Sequence, residues 1–284
     1  MLDIPGVAGP AARLPWAPRS IQTRRVRDEP MATQIAPDAL ALQRLYHWEK
    51  TQPDKVVFTQ PTGGGKTVDY TWREVMDQVR RMAAHLQAQG FEPGARIALI
   101  SKNTAHWLMA DWAIWMAGFV SVPLYPTLAS GTIRQILEHS GSSLLFVGKL
   151  DGWEGMKPGI PEGLPCISLP LCPADAAKSY PSWEKVTAAA KPLQGDPVRA
   201  GDDMSTIMYT SGTTGMPKGV MHTFAAFAWA VQTGLKRIPL RQDSRMLSYL
   251  PLSHVVERAL VEHGLLATGM RVYFAESLDT FTAD

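Results

Sequence analysis

The twelve residues Tyr209 to Val220, YTSGTTGMPKGV, put three glycines, a run of hydroxyls and one lysine side by side. That mixture suits one kind of ligand. Glycine reaches φ > 0, so Gly212, Gly215 and Gly219 can turn successive backbone N–H groups toward a single anion. Ser211, Thr213 and Thr214 add hydroxyl donors. Lys218 adds a mobile positive charge, and Pro217 stiffens the approach to it. The chemistry is a grip on phosphate, and the candidate phosphate-binding residues are Thr210, Ser211, Gly212, Thr213, Thr214, Gly215, Lys218 and Gly219.

It is not a Walker A loop. That motif places a magnesium-binding hydroxyl directly after the lysine, and Lys218 is followed by Gly219. A second stretch, GGGKT at Gly63–Thr67, imitates the end of a Walker A loop more closely. Its required first glycine is replaced by Gln60, and it joins two strand-like segments, KVVFTQ and TVDYTW. It reads as a hairpin turn with an exposed Lys66.

The elements that must position the phosphate loop follow a regular pattern. A helix is predicted from Ala39 to Glu49, then the hairpin around Gly63–Gly65. Thr71 and Glu74 form a capping box that starts a helix with Trp72, Val75, Val79, Met82, Ala83 and Leu86 on one face, stopped by Gly90. RIALI is a strand, Asn103 is expected to cap the next helix, and VSVPLY, a third helix ending at HSG, and SLLFVG follow. This alternation with short connections argues for parallel sheet flanked by helices. Residues 149–200 read as a looser, proline-rich connection with one short helix near SWEKVTAAAK. STIMYT is a strand feeding the phosphate loop, which is expected to lie near the start of a helix at about Thr223. MLSYL, a turn PLSH, a helix from about Ser253 and the strand MRVYFA complete the pattern.

Bulk properties exclude several classes. The chain has 284 residues and 45% apolar residues, enough for a sizeable core. A net charge of +2 does not point to nucleic acid. Cys166 and Cys172 have no histidine or further cysteine nearby to suggest zinc, and two sparse thiols fit a reducing cytosol. The N-terminus lacks an apolar secretory core. Ala105–Tyr125 is the most membrane-like stretch, but Asp111 interrupts it and Gly118 and Pro123 break it into a helix and a strand. Trp107, Trp112 and Trp115 on that helix are expected in the core. Residues 1–30, rich in proline and arginine, read as a disordered extension or a misassigned start, with Met31 opening the folded domain.

The ordered string in YTSGTTGMPKGV resembles the phosphate-binding signature of the adenylate-forming superfamily. The stretch LSYLPLSHVVERALVEHGLLATGMRVYFAESLDTF resembles its long-chain fatty acyl-CoA synthetase branch. The resemblance runs from about Ala39 to the C-terminus. It implies the partial N-terminal domain of an α/β fold with mostly parallel sheets flanked by helices, spanning 31–284, with the phosphate-binding loop at 209–220 and no lid domain. It implies ATP-dependent activation of a fatty acid to acyl-AMP and then acyl-CoA, with ATP, Mg2+ and coenzyme A. The loop would hold the ATP β- and γ-phosphates, with Lys218 catalytic. His254 in PLSH matches the position that lines the acid near its reacting carboxylate. Glu257 is read as structural, within reach of Arg258 or a neighbour. Many relatives carry a histidine two positions beyond His222, where this chain has Phe224. The other five histidines have no such context.

By the same resemblance the magnesium-binding glutamate, the adenine contacts and the catalytic lysine come after the region present. Asp284 falls inside a helix capped by Asp279. The isolated chain is therefore expected to show little ligase activity. Two alternatives stand beside this reading: an aryl or amino-acid adenylating enzyme of the same superfamily, and a non-catalytic nucleotide-binding or interaction module. The expected location is the cytoplasm, with peripheral contact at the inner membrane face left open.

Overall fold

The computed structural model describes residues 35–210 and 216–276. The readings of 1–30 and of Asp279 lie outside these residues.

A 3-10 turn at Pro37–Ala39 leads into α1 (Ala41–Thr51). The hairpin β1 (Val56–Gly63) and β2 (Lys66–Thr71) follows, then α2 (Trp72–Gln87). The Thr71–Glu74 capping box forms in both directions, and all six apolar residues assigned to one face of α2 are wholly buried. Next come β3 (Arg96–Ile100), α3 (Ala105–Met116), β4 (Val120–Leu124), α4 (Ser130–Ser140) and β5 (Ser142–Val147).

Residues 149–200 hold more structure than expected: α5 (Trp153–Met156), β6 (Cys166–Ser168), α6 (Ala174–Ser179) and α7 (Trp183–Ala189). Cys166 and Cys172 are both free. Cys166 sits in β6, where burial pushes its thiol up to about 12. The remainder is β7 (Met204–Thr210), β8 (Lys218–Thr223), α8 (Phe224–Leu235), β9 (Arg245–Ser248), α9 (Val255–Glu257), a π-helical turn at Arg258–His263, α10 (Gly264–Thr268) and β10 (Arg271–Phe274).

Two sheets result. One has the order β2-β1-β10-β9 and the other β6-β5-β3-β4-β7-β8. Each is parallel except for one antiparallel hairpin, β1 with β2 and β7 with β8. The larger sheet is covered on both faces. Along β3, Ile97 and Leu99 join the core shared with the smaller sheet, while Ala98 and Ile100 join the cluster under α4. A strand buried on both sides has no polar face to alternate with, which is why RIALI and SLLFVG read as unbroken apolar runs.

All twelve residues of α3 are buried, and its core joins residues of both sheets. A helix enclosed on every side needs no polar stripe. That accounts for the membrane-like look of this stretch, and no helix among the described residues is long and apolar enough to cross a membrane. Trp107, Trp112 and Trp115 are core residues, as expected. Asn103 is not the cap of α3. Thr104 is, its side chain accepting from the Trp107 N–H.

Candidate functional site

The phosphate-directed stretch is the tip of the β7–β8 hairpin. The strands pair from Met204↔Thr223 to Thr210↔Lys218. Thr210 and Lys218 thus face each other at the mouth, both exposed. Ser211, Gly212, Thr213, Thr214 and Gly215 lie outside the described residues. Lys218 forms no ion pair among the described residues.

This corrects the sequence reading of the loop's surroundings. The loop does not run into a helix start. β8 intervenes, and α8 begins beyond Thr223, at the opposite end of the hairpin. The dipole of α8 therefore does not aid anion binding at the tip, because such an effect fades within a turn.

Gly219 also departs from expectation. It lies in β8 without a positive φ. Its constraint is space: a Cβ there would come 2.8 Å from Ile207 Cγ2 and 3.2 Å from the Tyr209 ring. The glycine lets β8 close against side chains of its partner strand.

β7 is firmly fixed. Ser205 to Tyr209 are buried. The Tyr209 hydroxyl makes a 2.7 Å hydrogen bond with His139 Nδ1, and burial pushes that phenol up to about 12. The Trp115 indole N–H donates to the Ser205 carbonyl at 3.0 Å, and Ser205 Oγ donates to the His222 carbonyl across the hairpin at 3.0 Å. The strand that leads into the glycine-rich stretch is therefore held by α3, α4 and β8.

His254 is exposed and forms the N-cap of α9, its Nδ1 accepting from the Val256 N–H at 3.2 Å. Tyr249, Leu250, Val255 and Val256 are exposed apolar neighbours in sequence. The turn before His254 is pinned by Asn103. Its amide donates to Ser248 Oγ at 2.8 Å and to the Leu250 carbonyl at 2.6 Å, and its Oδ1 accepts from the Leu252 N–H at 2.9 Å. Glu257 does not pair with Arg258. Its carboxylate accepts from Ser248 Oγ and the Tyr249 N–H, closing the same turn from the other side.

Arg258 is the largest feature the sequence reading missed. Its side chain is wholly buried. It donates to Thr206 Oγ1 on β7 at 3.1 Å, to Ser121 Oγ on β4 at 3.0 Å, and to Asp111 on α3. The rings of Trp107, Trp115 and Phe227 lie within cation–π range of it. One guanidinium thus ties the helix that follows His254 to the strand that carries the phosphate loop. Asp111 was the available signal: a carboxylate inside an apolar helix requires a buried partner.

The histidines set aside in the sequence also have places. His263 is buried, stacked on Phe227 with ring centroids 4.2 Å apart, and His222 packs against the same ring. Burial holds both below the ordinary histidine range, with Arg258 adding to it. No group of three or more His, Cys, Asp or Glu among the described residues could hold a metal ion.

These features define an α/β domain in which the glycine-bearing β7–β8 hairpin and a histidine-capped turn are linked by one buried arginine. The chain belongs to the AMP-binding enzyme family, whose model matches residues 45–284. It is 29% identical over 224 residues to the long-chain-fatty-acid–CoA ligase FadD15 of Mycobacterium bovis, a match covering 76% of this chain and 37% of that protein. It is 32% identical over 212 residues to the long chain acyl-CoA synthetase 1 of Arabidopsis thaliana, covering 68% of this chain and 32% of that one. The chain thus spans about a third of the length of these relatives. Among solved structures, the anthranilate CoA ligase AuaEII bound to anthranoyl-AMP superposes with a TM-score of 0.76 at 18% identity, over 89% of this chain and 48% of that one. A benzoate CoA ligase from Burkholderia xenovorans superposes with a TM-score of 0.73 at 21% identity, over 86% of this chain and 47% of that one. The fold is that of the N-terminal domain of adenylate-forming enzymes.

Proposed function

We propose that this chain provides the phosphate-gripping and acid-facing part of an AMP-forming acyl-CoA ligase whose acid is a long-chain fatty acid. The observation that carries the reading is the linkage of its two motifs. The β7–β8 tip bears S-G-T-T-G-x-P-K-G, and Arg258 joins β7 to the helix headed by His254. In the proposed reaction the acid's carboxylate attacks the ATP α-phosphorus and pyrophosphate leaves. Charge builds on the departing phosphates, and donors fixed there in advance stabilise the transition state. Lys218 and the loop hydroxyls take that role, and His254 orients the carboxylate. The exposed apolar neighbours of His254, Tyr249, Leu250, Val255 and Val256, suit an alkyl tail. The names of the matched ligases support the same acid class. Coenzyme A is the proposed acceptor in the second half-reaction. Magnesium accompanies ATP in this reading, and no step is drawn through it. A cytoplasmic setting and peripheral contact with a membrane belong to the same proposal.

Binding provides the test, because the chain spans only part of its relatives. Inorganic pyrophosphate and ATP should each bind Lys218→Ala on the order of tenfold to a hundredfold more weakly than wild type, the loss of a charge-assisted contact. Equal affinity would remove the loop from the phosphate site. A hydrolysis-resistant adenylate analogue should bind better with a palmitoyl tail than with a benzoyl tail. The reverse order would assign the chain to aryl acids.

A further inference from the structure

The cluster around Arg258 contains more negative charge than it can balance. Asp111 and Glu262 are both wholly buried, as is the guanidinium between them. The two terminal nitrogens of Arg258 have acceptors, and its Nε lies 3.0 Å from Glu262 Oε2 without a hydrogen bond between them. The carboxyls are less well served. The Trp112 indole donates to Glu262 Oε1 at 3.0 Å, but Asp111 Oδ1 and Glu262 Oε2 are buried and receive no hydrogen bond. Both carboxyls thus crowd one guanidinium, Asp111 on Nη2 and Glu262 beside Nε. Two carboxylates set so close repel, whereas an acid and a carboxylate can share a hydrogen bond.

The Ser121 hydroxyl on β4 reaches Asp111 and the Trp112 indole reaches Glu262, but both are neutral and neither supplies the missing charge. From α3 comes Asp111 itself, and from the π turn come Arg258, Glu262 and His263. From β8 comes His222. Burial keeps both histidines neutral, so neither adds a second cation. The Thr206 hydroxyl on β7 is spent on the Ser121 carbonyl at 3.0 Å.

We propose that Glu262 is held as a neutral carboxylic acid whose proton lies in a hydrogen bond to Asp111, and that this proton is a pH-sensitive latch. It fastens the π turn, and with it the His254 turn, to α3, β4 and β7. When solvent base removes the proton, two carboxylates face one guanidinium in a dry interior. The unpaired charge then favours release of the turn. Burial raises both carboxyls above the ordinary carboxylate range, Glu262 well above it. The sign follows. Below the ordinary glutamate range the folded and unfolded chains both hold the proton, and the stabilisation is fully present. Above it only the folded chain holds the proton, so stability falls as pH rises toward the raised value. Over that window the unfolding constant rises by up to about tenfold per pH unit from this site. The inference does not depend on which acid or nucleotide is bound.

Infrared spectroscopy of the whole chain in heavy water at neutral pH reads the proton directly. Exposed Asp and Glu are ionised there, so a protonated-carboxyl C=O band should come from buried carboxyls, and this pair's share of it is identified by substitution. It should vanish in Glu262→Gln and also in Asp111→Asn, where Glu262 can ionise beside Arg258. Absence of the band from wild type overturns the proposal, whatever the variants do. Glu262→Gln keeps an N–H donor toward Asp111 without a titrating group. It should stay folded at neutral pH, and its urea midpoint should decline less steeply from mildly acid to alkaline pH than that of wild type. An unchanged slope would equally overturn the latch.

Discussion

Two hairpins in this molecule carry glycines followed by a lysine, and they are built differently. The β1–β2 turn is short: Gly63 pairs with Lys66, and Gly64 and Gly65 take φ of 62° and 73°. Positive φ at both central residues is what a two-residue hairpin of matching twist requires. A Cβ at either would meet nothing within 4 Å, and β2 is a sheet edge. The β7–β8 tip has seven residues between its last paired positions, Thr210 and Lys218. Its first strand is buried and held by Arg258, Trp115 and His139. Glycines at the first turn serve the backbone twist alone. At the second hairpin Gly219 serves close packing, and the strand that leads into the loop is rigidly supported. A loop that must place donors on a phosphate needs that support, since positioning is lost when the strand beneath it moves.

The sharpest way to break the contrast is to remove the support. Arg258→Ala leaves Asp111 buried without its cation and should cost about 3–5 kcal/mol in urea unfolding. No single change near Gly64 should approach this. Gly219→Ala comes next. The new Cβ meets Ile207 and Tyr209, and overpacking of this kind costs about 1–3 kcal/mol. It should also weaken pyrophosphate binding, because Tyr209 directly precedes the loop. Gly64→Ala, by contrast, places a side chain in open space at positive φ and should cost about 1 kcal/mol from backbone strain alone, with binding unchanged.

How much of this was legible in the sequence depends on how far each signal reaches. Local signals held. The 3.6-residue spacing of α2, its Thr71–Glu74 cap and the apolar strands of the larger sheet are each set within a few residues. The contrast between the glycine loops was only half legible. The strand-to-strand context that sets GGGKT aside also describes the β7–β8 loop, because β8 (KGVMHT) has no firm alternation and reads as the approach to a helix. The order of residues in S-G-T-T-G-x-P-K-G and the missing glycine at Gln60 separated the two. Long-range partners were not legible. Arg258 and Asp111 lie 147 positions apart. Asn103 looks like a cap from its neighbours, yet it reaches residues 248–252. The π turn leaves no periodic trace, since it shifts a helix by one residue over a single turn.

Smaller effects sharpen the comparison further. Tyr209→Phe removes the hydroxyl bonded to His139. His139 is exposed and can turn to water, so the cost should be only about 0.5–1 kcal/mol. The smallest expected effect is the most discriminating. Lys66 and Lys218 are both exposed lysines at the start of the second strand of a glycine-bearing hairpin. If a mobile charge beside glycines were sufficient, Lys66→Ala would weaken pyrophosphate binding as Lys218→Ala does. If the buried strand and the hydroxyl string are required, Lys66→Ala should leave affinity unchanged and stability within about 0.5 kcal/mol, as for most surface substitutions. Comparable losses in the two variants would show general charge attraction rather than a site, and raising the salt concentration would then abolish both together.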